Sequence, residues 1–204
     1  MQNKLFNVLT RGRFHAVSIN GDLKKAFLQV RIRPEDRDAL RFHWLYDKDP
    51  QRVRTLRFSR AIFRLTSSPF LLGGVIKQHL NTCRTEYPEC VQEIERDLYI
   101  DDLIWGGSTV QEASKFKDTA TEIFSKAAFQ LQKWHSNVNE LELEELQGTE
   151  DSLGFAKQQL VVKAGECGLL GLKWDKTNDT LAVEFPPNPA NSTKRGILGK
   201  LAKI

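Results

Sequence analysis

The 204 residues, 40% hydrophobic and 27% charged, are enough to bury a core and exclude a globally disordered chain. The net charge of +4 is too mild to name a polyanionic partner, yet it is polarised: Arg31 to Arg64 holds ten basic residues against five acidic, and Asn139 to Ala156 holds six acidic and none basic. Three cysteines, an odd number without a CxxC pair, imply no disulfide framework and no zinc site. The lack of a signal-peptide core, or of an apolar run of about 18 residues, points to an intracellular, cytoplasmic setting and no membrane partner.

In chain order, His15 to Asn20 reads as a strand, Gly21 and Asp22 as a turn, and the apolar residues of LKKAFLQVRI as a second strand. ALRFHWLY (39–46) and RVRTLRF (52–58) alternate polar with apolar around DKDP, which predicts an antiparallel pair. Ser67, Ser68 and Pro69 predict the capped start of a helix over 69–83, with the serine hydroxyl as cap. A second helix follows Pro88. LYI and LIW then flank Asp101 and Asp102, as in a hairpin with acids at its turn.

Ala113, Phe116, Ala120, Ile123 and Phe124 recur at helical spacing within 109–129. FQLQKW (129–134) alternates as a strand, and the acidic NELELEELQGTED is an exposed helix or loop. LLGLKW and TLAVEF flank the turn-rich DKTND as a late hairpin, and PPNPANST (186–193) reads as a linker before a helical segment. Strands with interspersed helices give the class α+β.

Two Mg²⁺ ions about 3.5–4 Å apart can activate a hydroxyl and stabilise a leaving pyrophosphate in phosphoryl transfer. Such ions need hard oxygen ligands held at the edge of a rigid sheet. Asp22 at a strand end and the Asp101–Asp102 pair in a hairpin suit that need. By itself a Tyr-x-Asp-Asp quartet is weak, since Asp is ordinary in surface turns. The apolar strands on both sides strengthen it, because like charges held together call for an offsetting cation.

The ordered blocks GDLKKAFLQV, FRLTSSPFLL, YIDDLIWGG, FQLQKWHSN and LLGLKWD resemble the successive polymerase motifs of reverse transcriptases, most of all those of BEL/Pao long-terminal-repeat retrotransposons. The resemblance runs from LFNVLTRGRFHAV to TKRGILGKLAKI. It implies a polymerase palm with an antiparallel sheet, flanking helices and partial fingers, most of the thumb being absent. The palm would span 1–148, with a fingers-like insertion at about 31–62. A primer-grip-like hairpin region would follow at 149–185, then a linker and the start of another segment at 186–204.

The implied activity is RNA-directed DNA polymerisation with two Mg²⁺ ions, Mn²⁺ being an alternative, acting on a primer-template and deoxynucleoside triphosphates. By the same resemblance, Asp22, Asp101 and Asp102 are the metal ligands. Tyr99 meets the primer end. Phe27 closes the floor under the incoming sugar and rejects a 2′-hydroxyl, unless it is simply a core residue. Phe63, Ser67, Ser68 and Pro69 lie along the nucleotide and template. Lys133 resembles a lysine that protonates the leaving pyrophosphate, against the plain alternative of a solvated charge. Trp174 belongs to the hairpin that grips the primer, or is a core anchor; Trp134 and Asn137 fit the motif and equally fit packing.

The chain departs from this pattern at Arg64, where relatives carry glycine; the arginine either contacts phosphate or obstructs the pocket. The N-terminal basic residues that hold the triphosphate in relatives, and the RNase H and integrase modules, lie outside the sequence. An aspartic protease is excluded, since DSLG at 151–154 is not Asp-Ser-Gly. Two competing readings stay open: a catalytically inactive remnant that at most binds nucleic acid through Arg31–Arg64, and a metal-dependent nuclease.

Overall fold

The computed structural model describes residues 3–46, 52–142, 166–183 and 193–194. Helix α1 (Leu5–Gly12) precedes strand β1 (Val17–Leu23), a short helix α2 (Ala26–Gln29) and a 3₁₀ segment (Pro34–Leu40). A ribbon of β2 (Arg41–Leu45) and β3 (Val53–Arg57) comes next, then α3 (Ser68–Cys83), α4 (Pro88–Asp97), β4 (Leu98–Tyr99), β5 (Asp102–Gly107), α5 (Val110–Ser125) and β6 (Leu131–Ser136). A late meander of β7 (Glu166–Leu169), β8 (Leu172–Asp175) and β9 (Thr180–Ala182) completes the described chain. The α+β class holds.

The main sheet is antiparallel in the order β4-β5-β1-β6. Because side chains alternate along a strand, its two faces have different covers. On one, Ile19, Leu23, Leu103, Trp105, Leu131 and Trp134 pack with the apolar stripes of α3, α4 and α5. Trp105 stacks on Phe116 at 4.6 Å. On the other, Ile104 joins Val8 of α1 with Cys167, Leu169 and Trp174 of the meander. Burying apolar area on both faces fixes the central strand, and Asp22 with it, in a rigid frame. Among the described residues no helix is long and apolar enough to cross a membrane.

Local chemistry explains the elements. Thr109 Oγ1 accepts from the Glu112 backbone N–H at 3.2 Å, and the Glu112 carboxylate accepts from the Ser108 N–H at 2.9 Å, a close variant of the capping box that starts α5. Arg11 of α1 reaches the buried Asp97 carboxylate at 2.8 Å and so ties α1 to α4. Gly21 is required by close approach: a Cβ there would lie 2.9 Å from the Trp134 ring. The glycine before Asp22 thus makes room for the tryptophan beneath the site.

Several sequence expectations are corrected. Gly21 and Asp22 are inside β1 rather than in a turn, and the chain after Leu23 does not form the predicted second strand: Lys25 turns left-handed (φ 50°) and starts α2, burying Ala26 and Phe27. The spacing of Ala26, Phe27 and Val30, all buried, was the helical signal. Ser67 precedes α3 but makes no side-chain cap bond; Ser68 instead donates to the Ile62 carbonyl at 2.6 Å, fastening the helix to the preceding loop. LLGLKW is two strands, because Leu170 (φ 50°) and Gly171 (φ 86°) form a tight turn inside it. The helix predicted over 109–129 ends at Ser125. Of NELELEELQGTED, Asn139–Leu141 is 3₁₀, and everything after Glu142 lies outside the described residues, as does nearly all of the predicted linker and terminal helix. Helix α1 lies beyond the predicted elements, although Leu5, Val8, Leu9 and Gly12 follow helical spacing.

Glu142 anchors the meander to β6. It accepts from Lys176 Nζ at 2.8 Å and from the Ser136 N–H at 2.7 Å, with His135 Nδ1 at 3.7 Å. Burial pushes this carboxyl up, but the bonds from His135, Lys176 and Ser136 together outweigh it and hold it down at about 2. A depressed carboxylate contributes stability above its unfolded value and loses it as pH falls toward its folded value, so this contribution should vanish between about pH 4.5 and about 2. Urea midpoints at pH 5 and pH 3 test this: Glu142→Gln should show a shallower acid loss than the parent chain, and an unchanged pH dependence would contradict it.

Candidate active site

Strand register brings the three aspartates together. Asp22, next to last in β1, lies opposite Asp102 at the start of β5, and Tyr99 of β4 lies on the other side of Asp102. The tight β4–β5 turn is made by Ile100 (φ 58°) and Asp101, and the Leu23 N–H donates to the Asp101 carbonyl at 2.9 Å. That bond ties the hairpin turn to the end of β1. Sequence positions about eighty apart thereby share one sheet edge.

The carboxylates feel one another. Burial raises the Asp101 carboxyl above the ordinary range, and the Asp22 charge adds to this. Asp102 is pushed up to about 7 by burial first, then by Asp101 and Asp22, with Lys133 opposing. Near neutral pH, Asp102 is therefore held between its protonated and ionised forms, chiefly by its burial and then by the carboxylates beside it.

The cation that is present arrives through a bulge. Between the pairs Asn20↔His135 and Asp22↔Gln132, β1 advances two residues and β6 three. The extra residue sits around Lys133, whose φ of 53° is left-handed, as in bulges that re-aim a side chain. Lys133 Nζ consequently comes 3.7 Å from Asp22 Oδ2, while Trp134 turns into the core below Gly21. Gln132 donates to Asp22 Oδ2 at 3.2 Å, a contact that no motif signalled.

The remaining predicted residues divide. Phe27 is buried, and exposed Phe63 rests edge-on against it with ring centroids 4.6 Å apart, so α2 and the loop before α3 share one aromatic wall. Arg64, Ser67 and Pro69 continue from that wall to the start of α3, and Ser68 is buried below them. Tyr99 packs against the cluster of Val8, Ile104 and Trp174. Trp174 itself is fully buried, donates Nε1–H to Asp179 at 3.0 Å and lies under the Arg13 guanidinium, so its ring serves the core rather than an open surface. Asn137 is structural: it accepts from the Ser18 N–H and donates to the Ala16 carbonyl, both at 2.9 Å.

Arg64 has φ 69°, a left-handed conformation that favours glycine. Arg64 thus sits on backbone better suited to the smaller residue. A non-glycine residue there costs about 1–2 kcal/mol, partly offset by the greater chain entropy that glycine loses on folding. Arg64→Gly should therefore raise the unfolding free energy by about 0.5–1 kcal/mol, measurable by urea titration; a decrease would contradict the strain.

The donor set fits Mg²⁺ in kind, being carboxylate oxygen throughout and short of positive charge. Among the described residues, no group of three His, Cys, Asp or Glu side chains is placed to hold a metal ion by itself. Mg²⁺ usually takes one or two carboxylates and completes its shell with water and substrate phosphates, so an open arrangement of this kind suits an ion that arrives with a nucleotide.

No protein-family model and no curated protein matches the chain. Solved structures do. A foamy viral protease-reverse transcriptase in complex with an RNA/DNA hybrid matches over the whole of this chain and 23% of its own, with a TM-score of 0.59 and 16% identity. Forms of that enzyme in complex with double-stranded DNA match with TM-scores of 0.59 and 0.54 at 16% and 15% identity, 29% and 35% of those chains being covered. The chain thus has the fold of part of a reverse transcriptase and spans about a quarter to a third of the solved chains it matches.

Proposed function

We propose that this chain is the palm of an RNA-directed DNA polymerase of the BEL/Pao retrotransposon kind, adding deoxynucleotides to a primer end on an RNA or DNA template. The observation that carries the proposal is the β1–β5 register, which sets Asp22 opposite Asp102 with Asp101 bonded through its carbonyl to the end of β1. The fold shared with reverse transcriptases supports it, as do the nucleic-acid duplexes held by the neighbouring structures.

In this reading Asp22, Asp101 and Asp102 hold two Mg²⁺ ions, or Mn²⁺ in their place. When bound, the ions supply activation of the primer hydroxyl and charge neutralisation at the leaving pyrophosphate. The chain's own residues do the rest. Lys133, beside Asp22, donates a proton toward the pyrophosphate oxygen. The Phe27–Phe63 wall borders the sugar, and Arg64 faces the triphosphate. The start of α3 at Ser67, Ser68 and Pro69 borders the template. Tyr99 meets the primer end, while Trp174 supports the hairpin beneath it.

The absence of a closed three-ligand group among the described residues favours a second reading, a palm that binds nucleic acid without catalysis. Metal binding separates them. In the presence of a primer-template and dTTP, the Mn²⁺ electron-spin resonance signal should report bound ions with the parent chain and far fewer with Asp101→Asn. Equal binding by both proteins would remove the aspartates from the metal site.

A further inference from the structure

The β2–β3 ribbon forms its own two-stranded sheet, apart from the main one. The pairs Phe42↔Leu56 and Trp44↔Arg54 put Phe42, Trp44 and Arg54 on one face, and alternation adds Tyr46. Arg41, Arg57, His43 and Thr55 occupy the opposite face. The two faces differ in chemistry. On the second, Asp38 binds Arg41 at 2.6 Å and Arg57 at 2.7 Å, so both guanidinium groups share one carboxylate.

The first face is an aromatic strip. Phe58 stacks on Phe42 with centroids 4.6 Å apart, and Trp44 meets Phe42 edge-on at 6.5 Å. Beyond them Trp44 is 56% and Tyr46 43% exposed. The Arg54 guanidinium lies 4.4 Å from the Tyr46 ring centre, and among the described residues no carboxylate is bonded to it. Flat π-surfaces interleaved with a stacked guanidinium match nucleobases joined by phosphates, whereas an apolar protein partner would leave that positive charge without a mate.

We propose that this face binds a single-stranded polynucleotide, with bases stacking on Trp44 and Tyr46 and Arg54 meeting the adjoining phosphate. Single strands are favoured because their bases present free π-faces, which a duplex hides within its stack. The choice of polymer rests on the polymerase reading above; the geometry of the site is independent of the three aspartates.

Trp44 reports on the site directly, since Trp105, Trp134 and Trp174 are at most 6% exposed. Titration with an unstructured oligo(dT) should quench Trp44 emission, and the blunt duplex of the same length should quench it far less. Anisotropy of a labelled oligo(dT) should show binding weakened about tenfold or more by Trp44→Ala, and likewise by Arg54→Ala. Arg41→Ala, on the opposite face and already paired with Asp38, should change it about twofold at most. Equal quenching by the duplex, or unchanged affinity in Trp44→Ala, would overturn the proposal. So would self-association that shields Trp44 before any oligonucleotide is added, which would assign the face to a second copy. Primer extension on the same samples keeps the two readings apart: extension without quenching removes only the ribbon site, and quenching without extension removes only the polymerase.

Discussion

Asp101→Asn should lower template-directed addition of dTMP to a primer by on the order of 10³-fold. A carboxylate that binds a catalytic cation stabilises the transition state by several kcal/mol, and each 1.36 kcal/mol is about tenfold in rate. The amide keeps the size and the turn, so the Asp101 carbonyl can still accept from Leu23. Removing one of three mutually repelling charges should leave stability unchanged or slightly raised, because burial and Asp22 already hold the Asp101 carboxyl above its ordinary range. Lost activity with retained stability is the signature of a functional charge. Lost activity with matching unfolding would point to a structural one.

Trp174→Ala should cost about 3–5 kcal/mol, the largest stability loss expected of any single change considered. Its ring is fully buried, Nε1–H is bonded to Asp179, and the Arg13 side chain joins ring and carboxylate from above. Cutting it back to the β-carbon empties the centre of the cluster formed with Val8, Ile104, Cys167 and Leu169, and frees the meander from the sheet. Trp174→Phe keeps most of the volume and should lose only about 1–2 kcal/mol with the indole hydrogen bond. Denaturant unfolding decides the matter: a loss below about 1 kcal/mol for Trp174→Ala would mean that the meander is not a fixed part of the fold.

The sequence was most legible where local pattern and tertiary demand agree. Asp101 and Asp102 between two apolar runs could only be a hairpin, and Ala113, Phe116, Ala120, Ile123 and Phe124 could only be one face of a helix. It was least legible where a single backbone residue breaks a period. Phe129, Leu131 and Lys133 alternate, which would aim Lys133 inward; the bulge at Lys133 reverses this, buries Trp134 and delivers the lysine to Asp22. Lys25 does the same on the other side, turning a predicted strand into α2 and burying Phe27. Left-handed turns at non-glycine residues carry little signal in composition, so Lys25, Arg64, Ile100, Lys133 and Leu170 could not be foreseen. The partner of Asp22 on β6, Gln132, required knowledge of the register and not of any motif.

Several of these hidden turns shape candidate site residues, whereas Leu170 only closes the β7–β8 turn. Ile100 shapes the hairpin, Lys133 supplies the cation, Lys25 seats Phe27, and Arg64 occupies a backbone position suited to glycine. Backbone held in sparsely populated conformations tends to gather where side chains must be aimed rather than merely packed. The turn at Ile100 and the bulge at Lys133 bear directly on the three carboxylates, an argument for function that does not depend on any family likeness.

The most direct measurement is single-nucleotide extension of a primer on RNA and DNA templates, with each of the four deoxynucleoside triphosphates supplied alone and Mg²⁺ present. The polymerase reading predicts addition of the complementary nucleotide only, abolished by chelation and by Asp101→Asn. Shortening of the primer without added nucleotide, or no addition by a folded chain that binds the primer-template, would contradict it.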